Sequence, residues 1–271
     1  MRDAIKMRKI IDFHAHAFPD AVAQKATANI GNYYSIRMSG TGRLEDLIKS
    51  ARKAHVDYVV FHSTATRPSQ VKNINTWVAR HATGTLIGFG TLHPDMDGIE
   101  EEFERIVSLG LKGIKLHPDF QGFKADDPKM DKIYAAVENR LPLLIHAGDE
   151  HSDNSSPERL AHVLEKFPGM IMVAAHLGGY KSWDESLHYL IGRNLYIDTS
   201  SAIEYMDGSE AVRIIRKHGT KRVLFGTDYP AACHSEALEV SDKLGLHEQE
   251  RADILFNNAA GLLKIDSDAV E

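Results

Sequence analysis

The feature of this sequence that most restricts its fold is a repeated alternation of short apolar, β-branched runs with longer segments of helical periodicity. Strands are predicted at 9–13, 57–62, 85–91, 113–117, 142–146, 170–176, 195–200 and 222–228. Amphipathic helices are predicted between them at 44–54, 99–109, 130–139, 157–167 and 210–218. Strands that alternate with helices indicate a parallel sheet with helical crossovers.

Eight such units form either a closed barrel or an open, doubly wound sheet. The Gly-x-Gly-x-x-Gly loop that follows the first strand of a dinucleotide-binding sheet does not occur here. No Pro/Ser-rich linker divides the 271 residues. We therefore predict one α/β domain over residues 1–271, a single, distorted (β/α)₈ TIM barrel.

We select the histidines and the aspartate at the ends of five of the eight predicted strands as candidate site residues. These residues are His14 and His16 on the first strand, His117 on the fourth, His146 on the fifth, His176 on the sixth and Asp228 on the eighth. Barrel enzymes build their active sites at the C-terminal ends of the strands. We expect these side chains to meet there.

Side-chain alternation along the strands supports this expectation. Residues two apart share a face, so His14 and His16 should point together, with Ile11 and Phe13 opposite them. On the fifth strand, Leu144 and His146 share the face opposite Leu143 and Ile145. On the eighth strand, Leu224, Gly226 and Asp228 share the face opposite Val223 and Phe225. We expect the face that carries His146 or Asp228 to look into the barrel. Buried imidazoles and carboxylates need partners, and a shared zinc, manganese or iron ion would satisfy them together.

These motifs resemble the amidohydrolase superfamily. The closest likeness is to its amidohydrolase-related branch, which includes aminocarboxymuconate-semialdehyde decarboxylase and similar aromatic-acid decarboxylases alongside hydrolases. The resemblance spans nearly the whole chain and rests on the motifs IDFHAH at 11–16, IKLHP at 114–118, IHA at 145–147, HLGG at 176–179, FGTDYP at 225–230 and NNAAGLL at 257–263.

The resemblance implies specific roles for the residues at the strand ends. His14, His16 and His146 would bind one divalent metal, with Zn²⁺ expected and Mn²⁺ or Fe²⁺ as alternatives. Asp228 would bind the metal and also serve as the acid/base. His176 would be either a further ligand or a proton-transferring neighbour of the metal-bound water.

Lys115 and His117 are open to three interpretations. Some superfamily members hold a second metal through a carboxylated lysine on the fourth strand. Alternatively, Lys115 forms an ion pair with an inward carboxylate such as Asp12 or Asp198. In the third interpretation Lys115 or His117 binds a carboxylate of the substrate. We expect one metal, and a second only if Lys115 is carboxylated.

The resemblance leaves the reaction open. Our leading prediction is a metal-dependent hydrolase that activates a metal-bound water to cleave an amide, lactone or ester of a small, carboxylate-bearing molecule. The alternative is a non-oxidative decarboxylase of an aromatic or unsaturated acid that uses the same site. A non-catalytic, metal-binding barrel is a second alternative.

The composition of the chain limits the classes of molecule that we expect it to bind. A formal net charge of −6 gives no electrostatic reason to expect nucleic acid or an anionic membrane as a partner, and no apolar run approaches the roughly 20 residues of a membrane span. The single cysteine, Cys233, fits a reducing cytoplasm. We expect a cytoplasmic enzyme that acts on a small-molecule substrate. The protein itself is expected to be able to form a homodimer.

The loops between the strands and the other histidines lead to further expectations. The segment 17–42 shows no clear pattern, so it is interpreted as a lid or binding element. Loops 18–43, 119–128 and 148–156 should determine substrate choice, and Cys233 and His234 should lie near the mouth of the site. Six further histidines should lie on the surface, namely His55, His81, His162, His188, His218 and His247.

Overall fold

A computed structural model describes residues 8–266. All eight predicted strands are present, seven of them shorter than predicted and the first shifted to later residues, and every pair of neighbours is parallel. Their bounds are Ile11–His16 (β1), Tyr58–His62 (β2), Leu86–Phe89 (β3), Ile114–Leu116 (β4), Leu143–Ile145 (β5), Met172–Ala174 (β6), Tyr196–Asp198 (β7) and Val223–Leu224 (β8).

The strands close into a barrel. They form two sheets, β1–β3 and β4–β8, and Gly90 pairs with Ile114 to join β3 to β4. At the other seam, Phe13 N–H donates to the carbonyl of Phe225 at 2.8 Å, and Asp228 N–H donates to the carbonyl of His14 at 2.8 Å. Because of these two bonds, the chain that follows β8 continues to pair with β1 after β8 itself has ended at Leu224. The predicted (β/α)₈ barrel is confirmed.

The helices cover the outside of the barrel and the ends of the strands. Their bounds are Asp20–Tyr34 (α1), Leu44–Lys53 (α2), Val71–His81 (α3), Ile99–Ser108 (α4), Pro118–Gln121 (α5), Asp131–Val137 (α6), Pro157–Lys166 (α7), Trp183–Tyr189 (α8), Gly208–His218 (α9), His234–Asp242 (α10), Glu248–Ala252 (α11) and Asn258–Leu263 (α12). Within residues 8–266, no helix combines the length and the apolar character needed to cross a bilayer.

Helix α1 lies in the segment where the sequence shows no pattern. It spans 15 residues, and its buried positions are Ala23, Thr27, Gly31 and Tyr34. These residues fall near the i, i+4 spacing of a helical face, but three of the four are small or polar. Apolar periodicity therefore missed the helix, because its packed face carries little apolar surface.

Side chains alternate between the barrel interior and the helical layer, as expected on most strands. Leu144 and Leu224 pack with Val60 and Val173 in the interior cluster, whereas their neighbours along each strand pack in the outer cluster. The predicted partitions of the fifth and eighth strands are therefore confirmed.

Strand β1 departs from this rule, and the prediction for it is wrong in part. Ile11 and Phe13 lie in the interior cluster, not on the helical side. The register slips between Asp12 and Ala15, where β1 carries one residue more than β2. Such a bulge breaks the two-residue alternation, so Phe13 and His14 can both serve the interior.

Candidate metal centre and its cavity

Three donor atoms meet at the seam between β1 and β8. His16 Nε2 lies 3.1 Å from Asp228 Oδ1, His14 Nε2 lies 3.5 Å from the same oxygen, and the two Nε2 atoms are 3.3 Å apart. Ligands that surround a tetrahedral ion at about 2.0–2.1 Å lie about 3.3–3.4 Å from one another. The spacing and chemistry of these three donors therefore fit a divalent metal.

The carboxylate of Asp198, at the end of β7, orients His14. Its Oδ2 lies 2.9 Å from His14 Nδ1, and its Oδ1 accepts the backbone N–H groups of His176 and Ser200. Burial alone would raise the pKa of Asp198, but His14 and His176 outweigh it and lower that pKa to about 2. An ionised Asp198 keeps the proton of His14 on Nδ1 and leaves Nε2 free to bind a metal.

His176 lies beside this trio and faces His146. Its Nδ1 lies 2.8 Å from the carbonyl of Ser200, which can only accept, so Nδ1 carries the proton. Its unprotonated Nε2 then accepts from His146 Nδ1 at 3.0 Å. The structure thus places the two predicted residues in contact with each other, and His146 keeps a lone pair on Nε2.

Tyr34, which sequence reasoning missed, bridges His117 and His146 from above. The N–H of Phe120 donates to His117 Nδ1 at 3.4 Å, so His117 carries its own proton on Nε2 and donates it to the Tyr34 hydroxyl at 3.3 Å. The hydroxyl proton has two acceptors, His146 Nε2 and Asp149 Oδ2, each at 3.2 Å. Burial and the charge of Asp149 raise the pKa of Tyr34, so the hydroxyl remains protonated.

A second group of donors adjoins the first at this point. Ligand-type atoms of His117, Asp119 and His146 lie within 4.8 Å of one another. Ser155 donates to Asp119 at 2.6 Å, while burial raises the pKa of this carboxyl to about 6. The predicted site residues therefore fall into two touching clusters, joined through His176 and His146.

Lys115 lies inside the barrel, as alternation predicts. It is fully buried, with its Nζ 3.0 Å from His14 Nε2, and burial lowers its pKa to about 8. The interpretation that pairs it with Asp12 is wrong. The Asp12 carboxylate faces away from the barrel interior. On that outer side it accepts a hydrogen bond from the Thr227 hydroxyl and lies 3.1 Å from His234 Nε2.

Four imidazoles at or beside the site are held neutral. Burial lowers the pKa of His16 to about 4, and it takes the pKa values of His62, His117 and His146 well below their ordinary range. Neutral imidazole is the form that binds metal. Burial opposes ionisation of Asp228, but its hydrogen bond to His16 and the nearby His14 and His176 lower its pKa well below the ordinary range.

A cavity of about 620 Å³ opens above these residues. Its base includes His16, His117, His146 and Asp228. One wall comes from α1 and its flanks, chiefly Phe18, Val22, Ile30, Tyr33, Tyr34 and Met38. The other comes from the segment after β2, chiefly Ser63, Thr64, Thr66, Ser69, Gln70, Asn73 and Ile74.

The loops that line this cavity agree in part with expectation. Segment 18–43 lines it extensively, whereas loop 119–128 contributes Phe120 and loop 148–156 acts through Asp149 on Tyr33 and Tyr34. Segment 63–74 was not predicted. Its one signal in the sequence is the polar run His62-Ser63-Thr64 at the end of the second strand.

Two expectations about outlying histidines are wrong. His234 is fully buried and faces Asp12 and Ser50 instead of the cavity mouth, because the ring fills a polar gap behind β1. His218 is also buried, since its Nε2 donates to the carbonyl of Leu195 at 2.9 Å.

Comparison with solved structures gives the same barrel. An uncharacterised TIM-barrel protein from Bordetella bronchiseptica superposes with a TM-score of 0.75 at 19% identity, covering 94% of this chain and 98% of that one. A 2,6-dihydroxybenzoate decarboxylase from Rhizobium gives 0.72 at 16% identity, covering 96% and 100%. The 5-carboxyvanillate decarboxylase of Novosphingobium aromaticivorans, solved with manganese and 4-hydroxy-3-methoxy-5-nitrobenzoic acid, gives 0.74 at 18% identity, covering 96% and 97%.

Sequence comparison identifies the family. A search of curated proteins finds none that matches this chain. The family model described as Amidohydrolase matches residues 11–265, a range that includes both histidines of β1, the donors at the ends of β5 and β6, and Asp228. The chain belongs to the amidohydrolase family.

Proposed function

We propose that this protein is a metal-dependent carboxy-lyase that removes the carboxylate of an aromatic or unsaturated acid without a redox cofactor. The observation that carries the proposal is the cavity, which is lined by His16 and Asp228 and also by the aromatic side chains of Phe18, Tyr33, Tyr34 and Phe120. Two of the compared barrels are decarboxylases of hydroxylated benzoates. Decarboxylation is therefore better supported than the hydrolysis that the sequence favoured.

His14, His16 and Asp228 would hold the metal, and a further ligand would come from His176, whose ring centroid lies 5.3 Å from that of His14, or from His146, which contacts His176. When bound, the ion supplies a Lewis acid that polarises the substrate. Imidazole and carboxylate donors suit both zinc and manganese, and the N. aromaticivorans decarboxylase was solved with manganese. We propose one divalent ion.

The protein's own residues orient the acid and move the proton. Lys115, buried beside His14, would supply a positive charge beneath the carboxylate, and Tyr34 and His117, which line the cavity, would exchange their mutual hydrogen bond for bonds to its oxygens. Decarboxylation breaks the bond between the carboxyl carbon and the substrate carbon. Carbon dioxide leaves, and the electron pair of the broken bond stays on the substrate carbon. That carbon then takes a solvent-derived proton carried by Asp228, which bonds to the electron pair.

The test is release of carbon dioxide by the purified protein, after removal of metal with a chelator and reconstitution with Mn²⁺ or Zn²⁺, on a panel of hydroxybenzoates. We expect about one equivalent of metal, and turnover that depends on it. Asp228→Asn should lose at least 100-fold in kcat, whereas the matched exposed control Asp97→Asn should not change. Two equivalents of metal would instead support a carboxylated Lys115.

Hydrolysis by the same site is the second candidate, favoured by the family match itself. It predicts turnover of lactones, amides or esters by the reconstituted protein with no carbon dioxide released from the acids. Full occupancy by metal without turnover of either panel would support the non-catalytic barrel and contradict both enzymatic proposals.

A further inference from the structure

The walls of the cavity carry almost no charge. Among residues 8–266, none of those that line it is lysine or arginine, and Asp228 at the base is its one carboxylate. The positive charge available to a substrate anion is therefore confined to the base of the cavity, from the metal that His16 and Asp228 would hold and from Lys115, which is buried beside His14.

Unpartnered polar atoms stand at the end of β2. The hydroxyl of Thr64 is buried without a hydrogen-bond partner among the described residues, and so are both ring nitrogens of His62. The His62 ring lies 4.4 Å from the ring of His16, centroid to centroid, which places it beside the metal ligands. Of the two residues, Thr64 lines the cavity and His62 does not, so Thr64 is the one whose hydroxyl a bound molecule can partner.

The opposite wall is aromatic and pre-packed. Tyr33 lies edge-on to Tyr34 and to Phe120, with ring centroids 4.8 and 5.0 Å apart, and Tyr33 donates to Asp149 at 3.1 Å. This wall accepts a flat, apolar ring. The substituents of that ring then face the end of β2.

We propose that the substrate is an aromatic acid with a single carboxylate and a neutral hydroxyl-type substituent directed at Thr64, and that a second carboxylate on the ring is rejected. This inference rests on the proposed function and narrows its substrate class. One carboxylate enters the base of the cavity, whereas a second would be buried against α1 or segment 63–74 without a cation. Desolvation of an unpaired carboxylate opposes binding more strongly than an added carboxylate's contacts with the wall favour it.

Arg67 is the cation that most directly opposes this inference. It stands between the lining residues Thr66 and Pro68, but its side chain is exposed and does not line the cavity. Its backbone N–H is bonded to Gln70 Oε1 at 3.1 Å, which fixes the chain there with the guanidinium outside.

The experiment measures binding, independently of turnover. Calorimetric titration of the Mn²⁺-loaded protein compares 3-hydroxybenzoate with 5-hydroxybenzene-1,3-dicarboxylate, which differs by one added carboxylate. We expect the monoacid to bind at least 10-fold more tightly. Asn73→Arg, which adds a cation to the polar wall, should reduce that ratio at least 5-fold, whereas Thr83→Arg, which adds it at an exposed site outside the cavity, should leave the ratio unchanged.

The hydroxyl subsite has its own readout. Thr64→Val should reduce the preference for 3-hydroxybenzoate over benzoate at least 5-fold, while metal content and the melting temperature stay as in the wild type. Thr66→Val, whose hydroxyl already bonds to Gln70, is the matched control and should keep the preference.

The outcomes separate this inference from the proposed function. Preferential binding of the monoacid without release of carbon dioxide would refute the carboxy-lyase and leave the charge rule standing. Equal or tighter binding of the diacid would overturn the charge rule, even if carbon dioxide is released. Diacid binding that is tight in the wild type and weakened by Arg67→Ala would overturn it too, by identifying Arg67 as a cation of the site.

Discussion

Thr227 donates its hydroxyl proton to the carboxylate of Asp12 at 2.6 Å, and this bond joins the end of β8 to β1 behind the proposed metal ligands. The same carboxylate accepts the backbone N–H groups of His14 at 3.0 Å and of Thr227 at 3.1 Å. Asp12 therefore braces the two chain segments that present His14 and Asp228, although it does not face the cavity.

Asp12→Asn should weaken metal binding by about 10- to 100-fold, because one carboxylate oxygen that accepts two protons becomes an amide nitrogen that donates. Titration of the metal-free protein with Mn²⁺ or Zn²⁺ measures the change. The control is Asp57→Asn, which removes a similar carboxylate bonded to Ile10 N at the other end of β1. Equal losses in both variants would mean that Asp12 stabilises the strand in general and not the site.

Tyr34→Phe should lower kcat about 10-fold or more at unchanged metal content, since His117 and His146 both lose the hydroxyl that sets their orientation. Tyr33→Phe removes the neighbouring hydroxyl, which contacts Asp149 only, and should have a much smaller effect. Steady-state rates with metal analysis of the same samples give the comparison. Loss of metal in Tyr34→Phe would contradict a purely orienting role for the hydroxyl.

Lys115→Met keeps the length of the side chain and removes its charge. If Lys115 meets the substrate carboxylate, KM should rise at least 10-fold, with a smaller effect on kcat and one equivalent of metal retained. Lys112→Met, at an exposed position just before β4, serves as the control. A loss of metal in Lys115→Met would favour the carboxylated-lysine interpretation.

His218 should make the fold less stable in acid. Burial lowers its pKa from 6.5 to about 4, so below pH 6.5 the unfolded chain binds a proton that the folded chain refuses. The free energy of unfolding therefore falls as the pH drops from 6.5 toward 4. Urea unfolding of wild type and His218→Gln should show a pH-dependent loss in this window that is smaller in the variant by about 2 kcal/mol. His188→Gln, an exposed control, should follow the wild type, and parallel curves for His218→Gln would contradict the prediction.

The strands and the strand-end residues could be predicted because both depend on local periodicity. The partition of the fifth strand around Leu144 followed from alternation alone. The same rule was wrong for Phe13, because a one-residue bulge depends on how β1 pairs with β2 and leaves no mark in a single sequence.

The unpredicted parts share a different cause. Tyr34 reaches His117 and His146 from more than 80 positions away, and the small, polar packed face of α1 hides the helix that carries it. His218 and His234 were misplaced because a buried imidazole is indistinguishable in sequence from an exposed one. Its burial is decided by partners such as the carbonyl of Leu195, which only the fold brings near.

The apolar cluster inside the barrel, where the rings of Phe13 and Phe89 meet edge to face at 5.5 Å, affects how substrate and product enter and leave the cavity. This cluster fills the interior of the barrel below the proposed metal ligands, so a molecule in the cavity cannot leave through the barrel. Whatever the enzyme makes must leave on the open side of the cavity, from which its substrate arrived. Reactant and product therefore compete for the same cavity, and a product that still fits the aromatic wall will inhibit the enzyme that released it.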